Sequence, residues 1–410
     1  MRVLGIPGLF GWAIDASRRT GHEAEDMLEA HLSCGIREVS WHCARSTVFY
    51  HSDLPDTTLY DDKGDQRPGI QGLGEVYRRR CGLRAALRFA DRNEMIVWGR
   101  VAMNRHYGYD KYGGSLTSGF AKEHPEWHEV GREGGKDTTR LCYAIPEVRE
   151  ERISILCELA RIGVHGLQLD FCRQPPILRY HSALTGSFRE RTGIDPLDIE
   201  ALDRRTRLEW WNYRSEFLTL FMRELRESLE SIRAETGQPL PVQARITDCG
   251  FDVNLAAGID VNCWCREGLV QEICVNPLQW VAEAQTHDIE PYVELGRSTC
   301  VKVLGGAHVN VIKNWGNGGI NPLVLGRRIQ DLNRKGASGV ALYQTDYGIR
   351  RDELGELLPL LHDPSALEKW LSRDSLKDEW PVTYINSSYG MDNHSKLGGG
   401  FHLLGGKPGI

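Results

Sequence analysis

Short apolar segments alternate with amphipathic helical stretches along most of the chain, at intervals suited to β/α units. The apolar segments have the length of buried strands, and the stretches between them carry apolar residues at helical spacing. Eight parallel strands, each followed by a helix, predict a single (β/α)8 TIM barrel. The predicted strands are residues 36–44, 95–103, 141–145, 166–171, 242–246, 272–275, 300–304 and 339–343.

Helix boundaries between the predicted strands are well marked. Pro146 begins a helix with apolar residues on one face, and Gly163 ends it. The longest predicted helix covers residues 205–236, and Gly237 followed by Pro239 ends it. Its aromatic residues recur at helical spacing, which is typical of a helix face packed into the core.

Two long connections interrupt the regular spacing. One covers residues 45–74 after the first predicted strand, and the other covers 105–140 after the second. Both leave the carboxyl ends of strands, the face at which barrel enzymes place their active sites. The second is rich in Gly, Tyr, His and Trp, which favours an ordered lid. We predict one barrel domain at 1–355 that includes this lid, and an irregular C-terminal extension or tail at 356–410.

Composition and charge restrict the class of protein. The chain has 410 residues and a net charge of −6, with 41% apolar and 26% charged residues, as in a globular enzyme. No long basic stretch is present, so we expect neither a nucleic acid nor a membrane as partner. Gly5 and Pro7 interrupt the first apolar stretch, which is atypical of a signal peptide. The odd count of 11 Cys indicates free thiols, and both features favour a cytoplasmic location.

Metal-binding patterns are weak in this sequence. Cys263 and Cys265 form one C-x-C pair without a second pair, and no His-x-His or His-Glu-x-x-His motif is present. His42, His106 and His181 could form a metal centre only through folding. We therefore predict no metal and no other cofactor, with a metal-dependent hydrolase as the weaker alternative.

Asp170 is the sharpest candidate for chemistry, because it closes the apolar strand at 166–171. A carboxylate at the carboxyl end of a barrel strand faces the mouth, where it can act as a nucleophile or stabilise positive charge. Arg173 follows closely enough to keep it ionised, and Pro175 and Pro176 would fix the turn. The alternative is a salt bridge that only holds the loop.

Polar and aromatic residues recur at the other predicted strand ends. On one face of a barrel such residues converge, so their recurrence predicts a shared binding site for a carbohydrate substrate. Aromatic rings can stack on the apolar faces of sugars, while Arg, Asn and His supply donors for hydroxyl or carboxylate groups. The candidate substrate-binding residues are Trp41, His42, Arg45, Asn104, Arg105, His106, Tyr107, Trp127, Arg173, Tyr180, Arg245, Trp315, Tyr343 and Tyr347.

Glycoside cleavage usually requires a second carboxyl group beside the first. Asp248 and Asp346 follow the fifth and eighth predicted strands, and both are candidate catalytic residues together with Asp170. Asp248 is slightly preferred, because its strand neighbours that of Asp170. Glu126, in the predicted lid, is a further candidate.

Several longer phrases occur in the order expected of a known family. They are AKEHPEW at 121–127, LCYAIPEVR at 141–149, LDF at 169–171, GIDVNCW at 258–264, EGLV at 267–270 and GASGVALY at 336–343. The pattern resembles glycosyl-hydrolase-like family 10, whose barrels are related more distantly to α-amylase-type glycosidases. The resemblance implies a TIM barrel, a glycosidase activity and Asp170 as the catalytic carboxylate. It says less about Asp248, since many relatives lack an obvious Asp there.

Together these features predict a glycoside hydrolase that acts on an oligo- or polysaccharide through carboxylate acid/base or nucleophilic catalysis. A non-catalytic carbohydrate-binding barrel is the main alternative, and it predicts one isolated carboxylate at the mouth. In the leading hypothesis, Asp170→Asn abolishes turnover and spares the fold.

Overall fold

A closed barrel of eight parallel strands forms the body of the protein, with helices around it, and this confirms the predicted (β/α)8 TIM barrel. The computed structural model describes residues 1–67, 69–103, 111–172, 175–200, 203–276, 288–309, 322–350 and 352–372. In order around the barrel, the strands are β1 Arg2–Ile6, β2 Glu38–Ala44, β3 Ile96–Ala102, β6 Gly166–Asp170, β7 Val242–Thr247, β8 Glu272–Asn276, β9 Lys302–His308 and β10 Gly339–Tyr343.

The helices follow the predicted boundaries where these were clearest. The helix that begins at Pro146 ends before Gly163, whose φ of 101° suits a glycine cap, and this confirms both limits. Within the described ranges, no helix combines the length and apolar content that crossing a membrane requires. The helices are α1 Leu9–Ala13, α2 Glu23–Ser33, α3 Leu73–Arg79, α4 Gly82–Arg92, α5 Gly119–Glu123, α6 Pro146–Ile162, α7 Ser182–Thr192, α8 Arg204–Thr236, α9 Phe251–Ala256, α10 Val261–Arg266, α11 Glu290–Thr299, α12 Pro322–Arg334, α13 Thr345–Gly348 and α14 Pro364–Leu371.

One predicted barrel strand is wrong, and one strand of the barrel was not predicted. Residues 142–145 form a turn, and β5 (Lys136–Leu141) pairs antiparallel with β4 (His128–Val130) outside the barrel. The barrel strand that was not predicted is β1, which contains Gly5. A Cβ at Gly5 would lie 3.1–3.2 Å from neighbouring side chains, so this glycine allows close packing inside the strand.

The predicted C-terminal extension includes a helix. Gly326 of α12 lies against α14, where a Cβ would approach Leu371 to 3.0 Å. Arg334 also donates to Glu368 across these helices at 3.0 Å. Residues 352–372 therefore pack on the barrel's outer layer, while 373–410 lie outside the described residues.

A polar network fills the amino-terminal end of the barrel. Arg2 donates to Glu38 at 2.7 Å and to Glu272 at 2.9 Å, and both carboxylates are buried. Trp98 donates to Glu38 at 2.6 Å, and Gln243 donates to Glu272 at 2.8 Å. The opposite end of the barrel is thus left for the candidate site.

We expect Arg2→Met to lower the free energy of unfolding by about 2 kcal/mol, because two buried carboxylates lose their shared cation. Urea denaturation measures this. Arg204→Met is the matched control, since Arg204 and Asp252 form an exposed pair at 3.5 Å whose loss should cost under about 1 kcal/mol. Equal losses in the two variants would contradict a structural role for the network.

Candidate active site at the barrel mouth

Inward-facing side chains of four neighbouring strands are joined by hydrogen bonds at the carboxyl end of the barrel. Arg100 of β3 and Arg245 of β7 both donate to Asp170 of β6, and Arg245 also donates to Asn276 of β8. The Arg245 guanidinium lies 4.1 Å from the ring centre of Tyr343 on β10. We call these five residues the mouth cluster. Successive side chains of a strand alternate between its faces, so each member occupies an inward position near its strand's end.

Asp170 is fully buried between two arginines. Its Oδ1 accepts from Arg245 Nη1 at 2.7 Å and from the backbone N–H of Cys172 at 3.2 Å. Its Oδ2 accepts from Arg100 Nη1 at 3.2 Å. Burial is the largest single influence on Arg245 and lowers its pKa, but Asp170 and other neighbouring groups together raise it by more, so the net pKa of Arg245 lies above its usual value. This carboxylate therefore sits in a strongly cationic environment.

Asp346 is a second buried carboxyl group at this end of the barrel. It lies in α13, directly after β10, and burial raises its pKa to about 7, although Arg350 and Arg100 oppose the increase. The backbone N–H of Gly8 also interacts with this carboxyl group. A Cβ at Gly11 would collide with Asp346 Oδ2, so α1 packs directly on it. Near neutral pH, Asp346 is thus poised between its acid and its carboxylate.

Arg100 connects the two carboxyl groups. It donates to Asp170 at 3.2 Å and to the carbonyl of Pro7 at 2.9 Å, and its charge acts on Asp346. Gly8, the residue after Pro7, interacts with Asp346 through its N–H. Arg100 therefore lies in the electrostatic field of both acids, and its side chain contacts the residues that directly follow β1.

Asp248 occupies a different environment. It directly follows β7 and lies 3.5 Å from Arg328 of α12. Its backbone N–H donates to the carbonyl of Asn276 at 3.0 Å, and the Cys249 thiol lies 3.9 Å from Oδ1. The structure therefore pairs Asp248 with a helix of the outer layer and does not place it in the mouth cluster.

The predicted aromatic residues separate into two groups. Trp41 and Tyr180 are both buried in the main hydrophobic core, where Tyr180 packs against Trp210 of α8. Tyr343 belongs to the mouth cluster. Tyr347 lies beside Asp346, half-buried, with the Arg350 guanidinium 5.0 Å from its ring centre.

Some of the candidate residues in the predicted lid and at the end of β2 are also described by the structure. Trp127 is half-buried and stacks on His124 at 3.6 Å, and Glu126 is exposed and bonded to the same His124. His42 accepts from Arg45 Nε at 3.2 Å. The remaining candidates, Asn104, Arg105, His106, Tyr107, Arg173 and Trp315, lie outside the described residues.

Of the three predicted histidines, His42 and His181 are described, and His106 lies outside the described residues. His181 accepts from the N–H of Ala183 at the start of α7, and its other ring nitrogen lies 2.9 Å from the carbonyl of Glu126. Across the ranges that the structure describes, no group of three or more His, Cys, Asp or Glu residues could hold a metal ion.

Two members of the mouth cluster, Arg100 and Asn276, were missed by the sequence analysis. Arg100 is a charged residue within the otherwise apolar strand Ile96–Ala102, and Asn276 closes the strand Glu272–Asn276. Burying a charge without a partner costs free energy, so the charged Arg100 in an apolar strand already indicated a buried partner.

No family model matches the chain, and no curated protein matches its sequence, so the resemblance to family 10 stays a prediction. The fold is similar to the glycoside hydrolase domain of PgaB (BpsB) from Bordetella bronchiseptica, with a TM-score of 0.59, 13% identity, and coverage of 88% of this chain and 98% of that one. It is also similar to α-L-fucosidase isoenzyme 2 from Paenibacillus thiaminolyticus, with a TM-score of 0.54, 14% identity, and coverage of 90% of this chain and 50% of that one. A third similar structure is the catalytic domain of β-amylase from Paenibacillus polymyxa, with a TM-score of 0.53, 9% identity, and coverage of 88% of this chain and 97% of that one.

These structural neighbours are glycoside hydrolases built on a similar fold. This chain spans half the length of the fucosidase but nearly all of the other two domains. At such low identity the similarity establishes a shared fold, and reaction and substrate must be argued from the site itself.

Proposed function

We propose that the protein is a glycoside hydrolase that acts on an oligo- or polysaccharide, with Asp170 and Asp346 as its catalytic carboxyl groups. The observation that carries the proposal is the contrast between two buried acids beside one arginine. Asp170 is bonded to two guanidinium groups, whereas the pKa of Asp346 is raised to about 7. Glycosidases need one ionised and one protonated carboxyl group, held in different environments.

The roles follow from these environments. Asp170, as a carboxylate, would attack the anomeric carbon or stabilise its positive charge in the transition state. Asp346, as an acid, would protonate the departing glycosidic oxygen. Arg100 would hold Asp170 in place and limit the rise in the pKa of Asp346.

Asp346 is favoured over Asp248 as the second acid. Asp248 is bonded to Arg328 of the outer layer, while Asp346 lies in the field of the same Arg100 that binds Asp170. The sequence-based preference for Asp248 depended only on neighbouring strands. Strand order does not fix which face a side chain takes after the strand ends.

Support from outside the site is of two kinds. The structural neighbours are glycoside hydrolases, and the sequence phrases resemble glycosyl-hydrolase-like family 10. For substrate contacts we propose His42, Arg45, Arg245, Tyr343 and Tyr347, which lie at or near the described mouth.

The proposal is tested by incubating the purified protein with a panel of polysaccharides and measuring new reducing ends. We expect release from at least one polymer, and the rate should scale with protein concentration. The alternative, a barrel that binds carbohydrate without cleaving it, is favoured by the complete burial of Asp170. Binding of a polymer without product would establish that alternative and overturn the hydrolase.

A further inference from the structure

Three buried N–H groups in the mouth cluster have no hydrogen-bond partner among the described residues. They belong to Arg100 Nε, Arg245 Nη2 and Asn276 Nδ2. A buried donor without a partner costs about 1–3 kcal/mol, and more when it is charged. Three such donors in one small cluster point to an acceptor that belongs to a ligand.

The charges of the cluster are also unequal. Arg100 and Arg245 bring two permanent positive charges, because guanidinium groups stay protonated in proteins. Asp170, bonded to both, brings one negative charge. Asp346 adds a second negative charge only when it is ionised. With Asp346 as a neutral acid, the buried cluster therefore carries an excess of one positive charge, which is costly unless an anion accompanies it.

The positions of the donors are fixed by bonds to their neighbours. Arg245 donates from Nε to Asn276 Oδ1 at 3.2 Å, which turns Nδ2 of the amide toward Gly306 of β9. Any Cβ at Gly306 would overlap Asn276 Nδ2, so a glycine is needed to leave room for this amide. Arg100 is held by its bond to the Pro7 carbonyl at 2.9 Å. The guanidinium groups that carry two of the free N–H groups are thus held in place beside Asp170, and the third free group lies against Gly306.

We propose that the natural substrate is an acidic sugar polymer, and that the mouth cluster binds the carboxylate of a uronic acid residue. This inference rests on the proposed function and names the substrate class for the same site. A carboxylate has four acceptor sites and one negative charge, and it pairs with planar N–H groups of Arg and Asn. A neutral sugar hydroxyl accepts hydrogen bonds but leaves the excess charge unbalanced.

The chemistry of a uronic acid agrees with the position of the cluster. Its carboxyl group is attached to C5, and C5 and the anomeric carbon are both bonded to the ring oxygen. The arginine donors beside Asp170 could therefore hold the carboxylate while Asp170 faces the anomeric carbon of the same ring. The bound carboxylate and the anomeric carbon that reacts would then belong to the same sugar residue.

The test compares acidic oligosaccharides with their own neutral forms. Oligosaccharides of galacturonate, glucuronate and mannuronate are each paired with the carboxyl-reduced counterpart, and calorimetry measures binding to the full chain. We expect at least one acidic form to bind about tenfold or more tightly than its reduced counterpart, with the preference weakened by salt. Equal binding, or a preference for reduced forms or for neutral glucans, would overturn the inference and leave the hydrolase intact. Binding to no sugar would overturn both.

Asn276→Asp sharpens the test without removing an arginine. The substitution keeps an acceptor for Arg245 but replaces one free N–H group by negative charge. We expect it to weaken binding of the acidic form at least about tenfold and to change binding of the reduced form by less than about threefold. Asn212→Asp, an exposed position on α8, is the matched control and should leave both affinities unchanged. Parallel loss of both ligands in Asn276→Asp would contradict carboxylate recognition.

Discussion

Asp170→Asn is expected to reduce glycoside hydrolysis by at least about 10³-fold, because the amide can neither attack the anomeric carbon nor balance its charge. The carboxylate oxygens lie at 2.7 and 3.2 Å from two guanidinium groups, so the Asn side chain would occupy the same space with the wrong charge. Initial rates on the best polymer of the panel, at substrate concentrations around KM, measure this loss in kcat and KM separately.

The burial of Asp170 leads us to expect that the same substitution also destabilises the fold, whereas the sequence alone predicted that the fold would be spared. Two buried guanidinium groups would lose their shared carboxylate, at a cost of about 3 kcal/mol or more. Rates must therefore be measured at a temperature at which circular dichroism shows the variant to be folded.

Asp248→Asn is the matched control for this experiment. It also neutralises a buried carboxylate beside an arginine, but its partner Arg328 belongs to α12. We expect a loss of stability with kcat within about threefold of the wild type. A folded Asp170→Asn protein with full activity, or a control as inactive as Asp170→Asn, would contradict the assignment.

Asp346→Asn is expected to lower kcat by about 10²- to 10⁴-fold for substrates with poor leaving groups, the range associated with a general acid. Substrates with an activated aryl leaving group need little protonation, so their loss should be much smaller. In the wild type, activity should fall as pH rises through about 7, because the acid form of Asp346 is then lost. This alkaline limb should disappear in the variant. An unchanged limb would show that another group supplies the proton.

The raised pKa of Asp346 also has a consequence for stability. In the folded protein this group keeps its proton up to about pH 7, while in the unfolded chain it loses it near pH 4. Its contribution to stability is therefore complete below about pH 4 and is lost as pH rises toward 7. Urea denaturation at pH 5 and at pH 8 measures this for the wild type and for Asp346→Asn. The free energy of unfolding should fall less between pH 5 and pH 8 in the variant than in the wild type.

Most of the barrel was predictable from sequence because its strands are short apolar runs separated by well-capped helices. Seven of the barrel strands overlap predicted ones, including β6 and its terminal Asp170. β1 was not predicted, and its Gly5, which interrupts the apolar run in sequence, serves close packing within the strand. The strand predicted at 141–145 is wrong because residues 142–145 form a turn before α6, and only Leu141 belongs to a strand. That strand, β5, pairs with β4 outside the barrel and lies mostly in the segment predicted as a lid.

The site was less predictable, because barrel strands are buried on both faces. Trp41 and His42 are adjacent in β2, where every residue is buried, so composition alone could not tell which side chain faces inward. Arg100 could have been found from its charge within an apolar strand. Its bonds to Asp170 and Pro7 link segments far apart in sequence, and only the closed barrel brings them together.

A crystal structure of Asp346→Asn with an oligosaccharide that the wild type cleaves tests the assignment of Asp170 and Asp346 most directly. We expect an anomeric carbon next to the Asp170 carboxylate and a glycosidic oxygen within hydrogen-bond distance of residue 346. A sugar bound elsewhere on the barrel, with Asp170 still enclosed by Arg100 and Arg245 and in contact with no sugar atom, would contradict it.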